Sequence, residues 1–147
     1  MKYKDGTFYE TKLIPFPGYK AIMLFGFIFT KESEEEWDKV ERRHEEIHKN
    51  QYRDLFCAGL FVDIALLFIL LAMGFVTWNL LFLLTIPVFL FYVWYGVNFI
   101  KQWTTYKKWH DAYRKVIFER QAYALEDEAN LPCEQQTPYT SFSFFKY

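Results

Sequence analysis

Charge is what the middle of this chain lacks: from Leu55 to Ile100 the single formally charged side chain is Asp63. A stretch of about 46 residues is enough for two helical membrane spans of about 20 residues each. Excess charge of either sign is missing too. The formal net charge is -1, so there is no basic footprint for nucleic acid, and no nucleic-acid partner is expected. Cysteine is scarce: Cys57 lies inside the apolar run and Cys133 in the tail, which excludes a disulfide framework. The first twenty residues alternate polar and aromatic side chains where a signal peptide would show a basic start and an apolar core. The first span is therefore expected to act as its own membrane signal. At 147 residues one domain is expected.

What is present is apolar and aromatic: 52% of residues are hydrophobic and 22% aromatic, while the 24% that are charged are segregated toward both ends. Residues 7–30 read as two short strands. The first, residues 7–14, is followed by the turn chemistry of Pro15-Phe16-Pro17-Gly18. The second, residues 19–29, is too short to cross a bilayer and reads as a strand or an interfacial segment. Ser33 with Glu36 forms a capping-box pattern, and Glu34 and Glu35 suit the positive end of a helix dipole. Nothing interrupts that helix before about Gly74, so residues 33–75 are expected to form one rod that enters the membrane. Thr77-Trp78-Asn79 gives the polar break. A second span follows over residues 78–100, with Pro87 and Gly96 as possible bends. Residues 101–130 read as an amphipathic helix and 131–147 as an extended tail.

The fold class expected is a mainly α membrane protein: a two-helix transmembrane hairpin with long cytoplasmic helix extensions and a small N-terminal β element. Lys49 and Arg53 flank one end of the hairpin, and Lys101, Lys107 and Lys108 the other. The connection between spans has no basic residue. The positive-inside rule then puts both termini in the cytoplasm.

One motif carries chemistry. His44-Glu45-Glu46-Ile47-His48 is an HExxH pattern on a strong helical stretch, and its i, i+4 spacing stacks both imidazoles on one face where they can hold Zn²⁺. Glu45 beside the first histidine suits a general base acting on water. With three histidines and twelve glutamates in the chain, shuffling gives this pattern in about half a percent of sequences. A catalytic zinc needs a third protein ligand and an open position. Glu119, Glu126 and His110 are the candidates. In a symmetric hairpin turning near residue 77, Glu119 overshoots the histidines by about 18 Å. A Glu119 ligand thus requires a break near residues 102–105, or a turn closer to Pro87.

These residues resemble gluzincin metallopeptidases, in which HExxH on one helix is completed by a Glu on a later one. They are more similar to the membrane-embedded sensor-transducer peptidases of the β-lactam response. They most resemble a set of short, uncharacterised bacterial membrane proteins, through residues 15–22, 44–51 and 113–123. The resemblance implies zinc ligands His44, His48 and Glu119, Glu45 as base, a protein or peptide substrate, and the bacterial inner (cytoplasmic) membrane. Two positions depart from it. Gln121 stands where a second acid is common, and Tyr123 where an Asp often orients a ligand histidine.

Further residues complete the expectations. Tyr123 is the first candidate to donate a hydrogen bond to a tetrahedral oxyanion. Asp63, an acid inside a span, is expected to bond Tyr92 or Tyr95 or to make an oligomer contact. The aromatic series from Tyr92 to Tyr113 reads mostly as membrane-interface anchors that meet lipid. The Phe-rich tail either covers the edge of the second strand or plugs the cleft. The functional expectation is zinc-dependent peptide hydrolysis at the cytoplasmic membrane face. Its alternatives are a non-catalytic zinc protein, structural or sensory, and a metal-free membrane adaptor.

Overall fold

A computed structural model describes residues 8–11, 20–33, 36–75 and 77–147. The expected turn at residues 15–18, residues 12–14 of the first strand, and Glu34 and Glu35 lie outside them. The second expected strand is a hairpin: β2 (Ala21–Leu24) pairs antiparallel with β3 (Phe27–Thr30). Phe25 and Gly26, with φ of 52° and 81°, make the two-residue left-handed turn that suits the twist of paired strands. β1 (Phe8–Glu10) runs parallel to β3, giving the order β1-β3-β2. Phe8, Met23 and Ile28 are buried in the core.

The first helix, α1 (Lys39–Ala72), starts five residues later than the Ser33 pattern suggests. The Ser33 carbonyl instead accepts the Glu36 and Trp37 N–H groups in a turn. Asp38 is the cap, its side chain accepting the Val40 N–H at 3.2 Å, as a short acceptor at that position does. With 34 residues the helix is about 51 Å long. Gly74, at φ 85°, ends it.

The second apolar segment opens as a 3₁₀ helix, Trp78–Thr85, and becomes α2 only at Ile86, running to Tyr106. Pro87 sits in the first turn of α2, where its missing N–H costs no hydrogen bond, so it starts the helix where a mid-span bend was expected. Lys107, at φ 57°, stops α2. The continuous helix expected over 101–130 is therefore divided into the end of α2, α3 (Trp109–Arg114), α4 (Ile117–Leu125) and a 3₁₀ turn, Glu126–Asn130. Burial is the physical reason. Ala112, Val116 and Phe118 are fully hidden, and the Asn98 side chain accepts the Ile117 N–H at 3.1 Å, which turns the chain back against α2.

The tail packs on the outer side of α1 and α4. Phe144 is buried with its ring 4.9 Å from Phe118, and Asp54 accepts hydrogen bonds from Tyr139 OH and Phe142 N–H at 2.8 Å each. Short 3₁₀ turns at Cys133–Gln135 and Ser143–Lys146 interrupt the extended course expected there.

Two helical stretches, in Lys39–Ala72 and Trp78–Tyr106, are long and apolar enough to cross a membrane. In their most apolar windows only 17% and 11% of residues are buried, unlike the core helix of a soluble domain. Phe61, Phe68, Phe82 and Val97 point outward among many others. Asp63 is only 5% exposed and its Oδ2 has no hydrogen-bond partner among the described residues. The expected bond to Tyr92 or Tyr95 is not the one these hydroxyls make: Tyr92 accepts from Phe25 N–H and Tyr95 donates to Glu119. Tyr92 packs at the level of Tyr52, about 16 Å along α1 from the acid.

The two long helices approach closely at Gly59. A Cβ there would lie 3.1 Å from Leu90 Cδ2 and 3.3 Å from the Pro87 backbone. Small residues permit such contacts between apolar helices. Gly59→Val should therefore destabilise the protein by about 1–3 kcal/mol, the usual cost of overpacking. Denaturant titration in detergent checks this, and an unchanged midpoint would mean that the helices separate at no cost.

Candidate metal centre

The HExxH segment lies in the charged first third of α1, about 10 Å before the apolar run begins at Leu55. One turn of helix puts His44 and His48 on the same face, with their rings 4.7 Å apart. Their Nε2 atoms face one another at 3.0 Å. Glu119, carried by α4 and 1% exposed, comes between them. Its Oε2 is 3.2 Å from His44 Nε2 and its Oε1 is 3.2 Å from His48 Nε2. The overshoot foreseen for Glu119 is absorbed twice. α2 begins as late as Ile86, and the breaks at Lys107 and at Lys115–Val116 return α4 to the level of the histidines.

The outward ring nitrogens are also held. His44 Nδ1 is 2.6 Å from Glu126 Oε2, and His48 Nδ1 is 2.8 Å from Gln51 Oε1. Gln51 is itself fixed by its amide, which donates to the Phe118 carbonyl at 3.0 Å and to Gln121 Oε1 at 2.8 Å. Gln121 in turn donates to Ser143 Oγ at 2.6 Å. Tyr95 from α2 donates to Glu119 Oε1 at 2.8 Å. The orienting contacts absent at positions 121 and 123 are thus made by Glu126 and Gln51.

This arrangement can hold a metal ion. His44, His48 and Glu119 form the group of potential ligands found among the described residues. One ligand atom from each of the three lies within 4.8 Å of the others, and the 3.0 Å between the two Nε2 atoms is near the edge of about 3.3 Å of a tetrahedron with bonds of 2.0–2.1 Å. Glu119 Oε2 is buried and makes no aligned hydrogen bond although it lies 3.2 Å from an imidazole nitrogen. A buried carboxylate oxygen in that position lacks a partner that a cation would supply. The other two candidate ligands stand elsewhere. Glu126 is on the far nitrogen of His44, and His110 is exposed on α3, outside the cluster. A closed site using both His110 and Glu119 is not formed.

Glu45 lies beside the cluster and lines two cavities that meet there. One, of about 360 Å³, has a mixed polar and apolar lining that includes Lys20, Glu41, His44, Tyr113, Tyr123 and Glu126. The second, of about 490 Å³, is reached past His48 and Glu119 and is mostly apolar. The tail lines neither, so it is not a plug. Tyr123 packs edge-on against His44 with centroids 4.9 Å apart. Tyr113 lines both cavities.

Electrostatics follow from burial and these partners. Burial opposes charge on His44, but the Glu119 and Glu126 carboxylates outweigh it and lift the imidazole to about 10 in the metal-free protein. Burial likewise opposes charge on His48, and Glu119 overrides it and raises the group. For Glu119, burial is overcome by His48 and His44, which hold the carboxyl well below its usual range. Burial pushes Glu45 up against the pull of the two histidines, in the direction a general base requires. Burial and then the Glu119 charge push the Tyr113 phenol up, so it stays a donor.

The spacing of the motif foretold the histidine face. Gln51 was missed although it follows His48 by three residues on the same helix face. Tyr95 and Tyr113 carried no local signal, because their roles depend on how α2 and α3 align with α1. Comparisons with protein-family models, curated proteins and solved structures found no match. The site therefore stands on its own geometry.

A signed pH dependence follows for the metal-free chain. A histidine raised above its unfolded value of 6.5 contributes stability that is complete below 6.5 and is lost as pH rises through about 10. Metal-free protein should melt at falling temperature from pH 7 to pH 10, and Glu126→Gln should flatten that slope. Thermal melts across the window test both, and a melting temperature independent of pH would contradict the pairing.

Proposed function

We propose that the protein is a zinc-dependent peptidase of the cytoplasmic membrane, its site facing the cytosol. The observation that carries this reading is the convergence of two imidazole Nε2 atoms and one buried carboxylate within 3.2 Å, with Glu45 beside them and a cleft open in front. Two histidines and one glutamate leave a position free for water or substrate, as catalytic zinc sites do. The same donor set favours zinc over calcium or magnesium, which prefer all-oxygen shells. The HExxH motif and the later Glu suggest kinship with gluzincins and with membrane-embedded sensor-transducer peptidases.

Zinc, when bound, supplies Lewis acidity that brings a water's pKa toward neutrality and polarises a carbonyl. Glu45 takes a proton from the attacking water and returns it to the departing amine. His44 and His48 would hold the metal through Nε2 as neutral rings, the metal displacing the proton that the carboxylates favour in the metal-free chain, while Glu126 and Gln51 direct their other nitrogens. Tyr123 and Tyr113 stand at the cleft where a hydroxyl can donate to the tetrahedral oxygen. Both long apolar helices are placed across the membrane, with both termini in the cytoplasm. Lys49 and Arg53 at one end and Lys101, Lys107 and Lys108 at the other support this, as does their absence from the connection.

Purified detergent-solubilised protein should contain close to one zinc per chain by elemental mass spectrometry. Glu119→Ala should lose it. Glu45→Gln should keep its zinc yet hydrolyse a casein or peptide-library substrate at least about 100-fold more slowly. No zinc in the parent after metal is added back would end the peptidase reading. Full activity in Glu45→Gln would leave a zinc protein with a different chemistry.

A separate measurement addresses the orienting residues. Glu126→Gln and Gln51→Leu should each weaken zinc affinity by about 10–100-fold in competition with a chromophoric chelator. Unchanged affinity in both variants would mean that the rings are held by packing alone.

A further inference from the structure

The apolar cavity is built from parts that have no role in holding a metal. One wall is the strand β2, which is at the edge of the sheet among the described residues. The Lys31 N–H donates to the Lys20 carbonyl, so in the antiparallel register the peptide groups of Ile22 and Leu24 point to β3 and those of Ala21 and Met23 point the other way. That outward edge borders the cavity, which Ala21 and Met23 line. The opposite wall is the second apolar helix and its continuation: Phe91, Tyr95, Gly96, Phe99 and Trp109. Glu45, His48 and Glu119 close one end.

Three observations identify what fits. The volume of about 490 Å³ is of ligand-pocket size, on the order of 300–1,000 Å³, and its lining is mostly apolar, with aromatic rings along the helical wall. A Cβ on Gly96 would meet nothing within 4 Å, so this glycine in mid-helix leaves open floor where any other side chain would project. Glu45 lines both the cleft on the His44 side, whose charged groups are Lys20, Glu41 and Glu126, and the apolar cavity on the His48 side. A chain crossing from one to the other therefore passes the ligand cluster with polar groups behind and an apolar side chain ahead.

We propose that this cavity is the specificity pocket for one bulky apolar side chain, aromatic or long aliphatic, of an extended peptide lying along the outer edge of β2. The proposal rests on the peptidase reading and narrows its substrate class to chains that present such a residue beside the scissile bond. Main-chain hydrogen bonds to Ala21 and Met23 give register, as in strand addition to a sheet edge, and the cavity gives selectivity. The aromatic wall belongs to the second apolar helix. The favoured substrates are therefore segments that emerge next to a membrane-embedded stretch, where such side chains are common.

The test uses the full chain in detergent and two capped peptide hydroxamates, identical except that one side chain is benzyl in the first and methyl in the second. Affinity is measured by calorimetry, and zinc per chain is measured on the same samples. The parent should bind the benzyl probe at least about tenfold more tightly than the methyl probe, the scale of a filled apolar pocket. Gly96→Leu fills the floor without touching a ligand residue, so it should keep its zinc and bring the two affinities to within about twofold. Since both proteins share the same micelles, partitioning of the benzyl group into detergent cancels in this comparison. Equal affinities in the parent, or a preference that survives in Gly96→Leu, would overturn the pocket while leaving the zinc reading intact. If the parent holds no zinc, the peptidase reading has failed. The benzyl preference and its loss in Gly96→Leu still decide whether the cavity binds an apolar side chain.

Discussion

A single buried amide, Gln51, holds the two halves of the site in register. Its oxygen meets His48 Nδ1 and its nitrogen donates to the Phe118 carbonyl and to Gln121, so α1 and α4 are joined one residue away from Glu119. Without that link the carboxylate would have to be brought against two histidines by packing alone. Buried polar groups are costly unless each is satisfied, and a fully satisfied network specifies one arrangement. Here it runs from His48 through Gln51 and Gln121 to Ser143 in the tail. Ser143, near the end of the chain, thereby takes part in orienting His48.

Electrostatics act along the same line. Burying Glu119 as a carboxylate is unfavourable by itself, and the two imidazoles with the Tyr95 hydroxyl offset it. That balance suits a group of side chains that could take up a cation. The acid is kept ionised, and the rings are kept turned so that one nitrogen from each faces it. Each ring's second nitrogen is occupied, by Glu126 or by Gln51, and this removes the alternative in which a flipped imidazole satisfies itself elsewhere.

How much of this was legible in the sequence varies with the range of the interaction. His44 and His48 come from one turn of one helix, so spacing alone placed them on a common face. The long apolar stretches were legible for a similar reason, since their composition is a local property. The start of α1 was not. Ser33 and Glu36 matched a capping box, but Asp38 nearer the helix captured the free N–H, and local patterns of this kind compete. The division of 101–130 was hidden because it depends on burial of Val116 and Phe118 against α2, which no periodicity reports. The hairpin at Phe25–Gly26 was missed because its aromatic residues read as one unbroken strand. The register of Glu119 followed from these two breaks and from the late start of α2, so local reasoning left it among three candidates.

The hairpin turn also does something beyond reversing a strand. Its Phe25 N–H is bonded to Tyr92 on the second long helix, and the Phe25 ring lies against Phe89 and Tyr92. The end of β2 is therefore tied to that helix at the turn. In a bilayer, this would set the strand, and any chain paired with it, at a constant height above the lipid. The distance from His48 to the first residue of the apolar run is seven positions, about 10 Å of helix. On the proposed peptidase reading the molecule would be a ruler: the place of a cut would be measured from the membrane surface as much as read from the residues on either side of it.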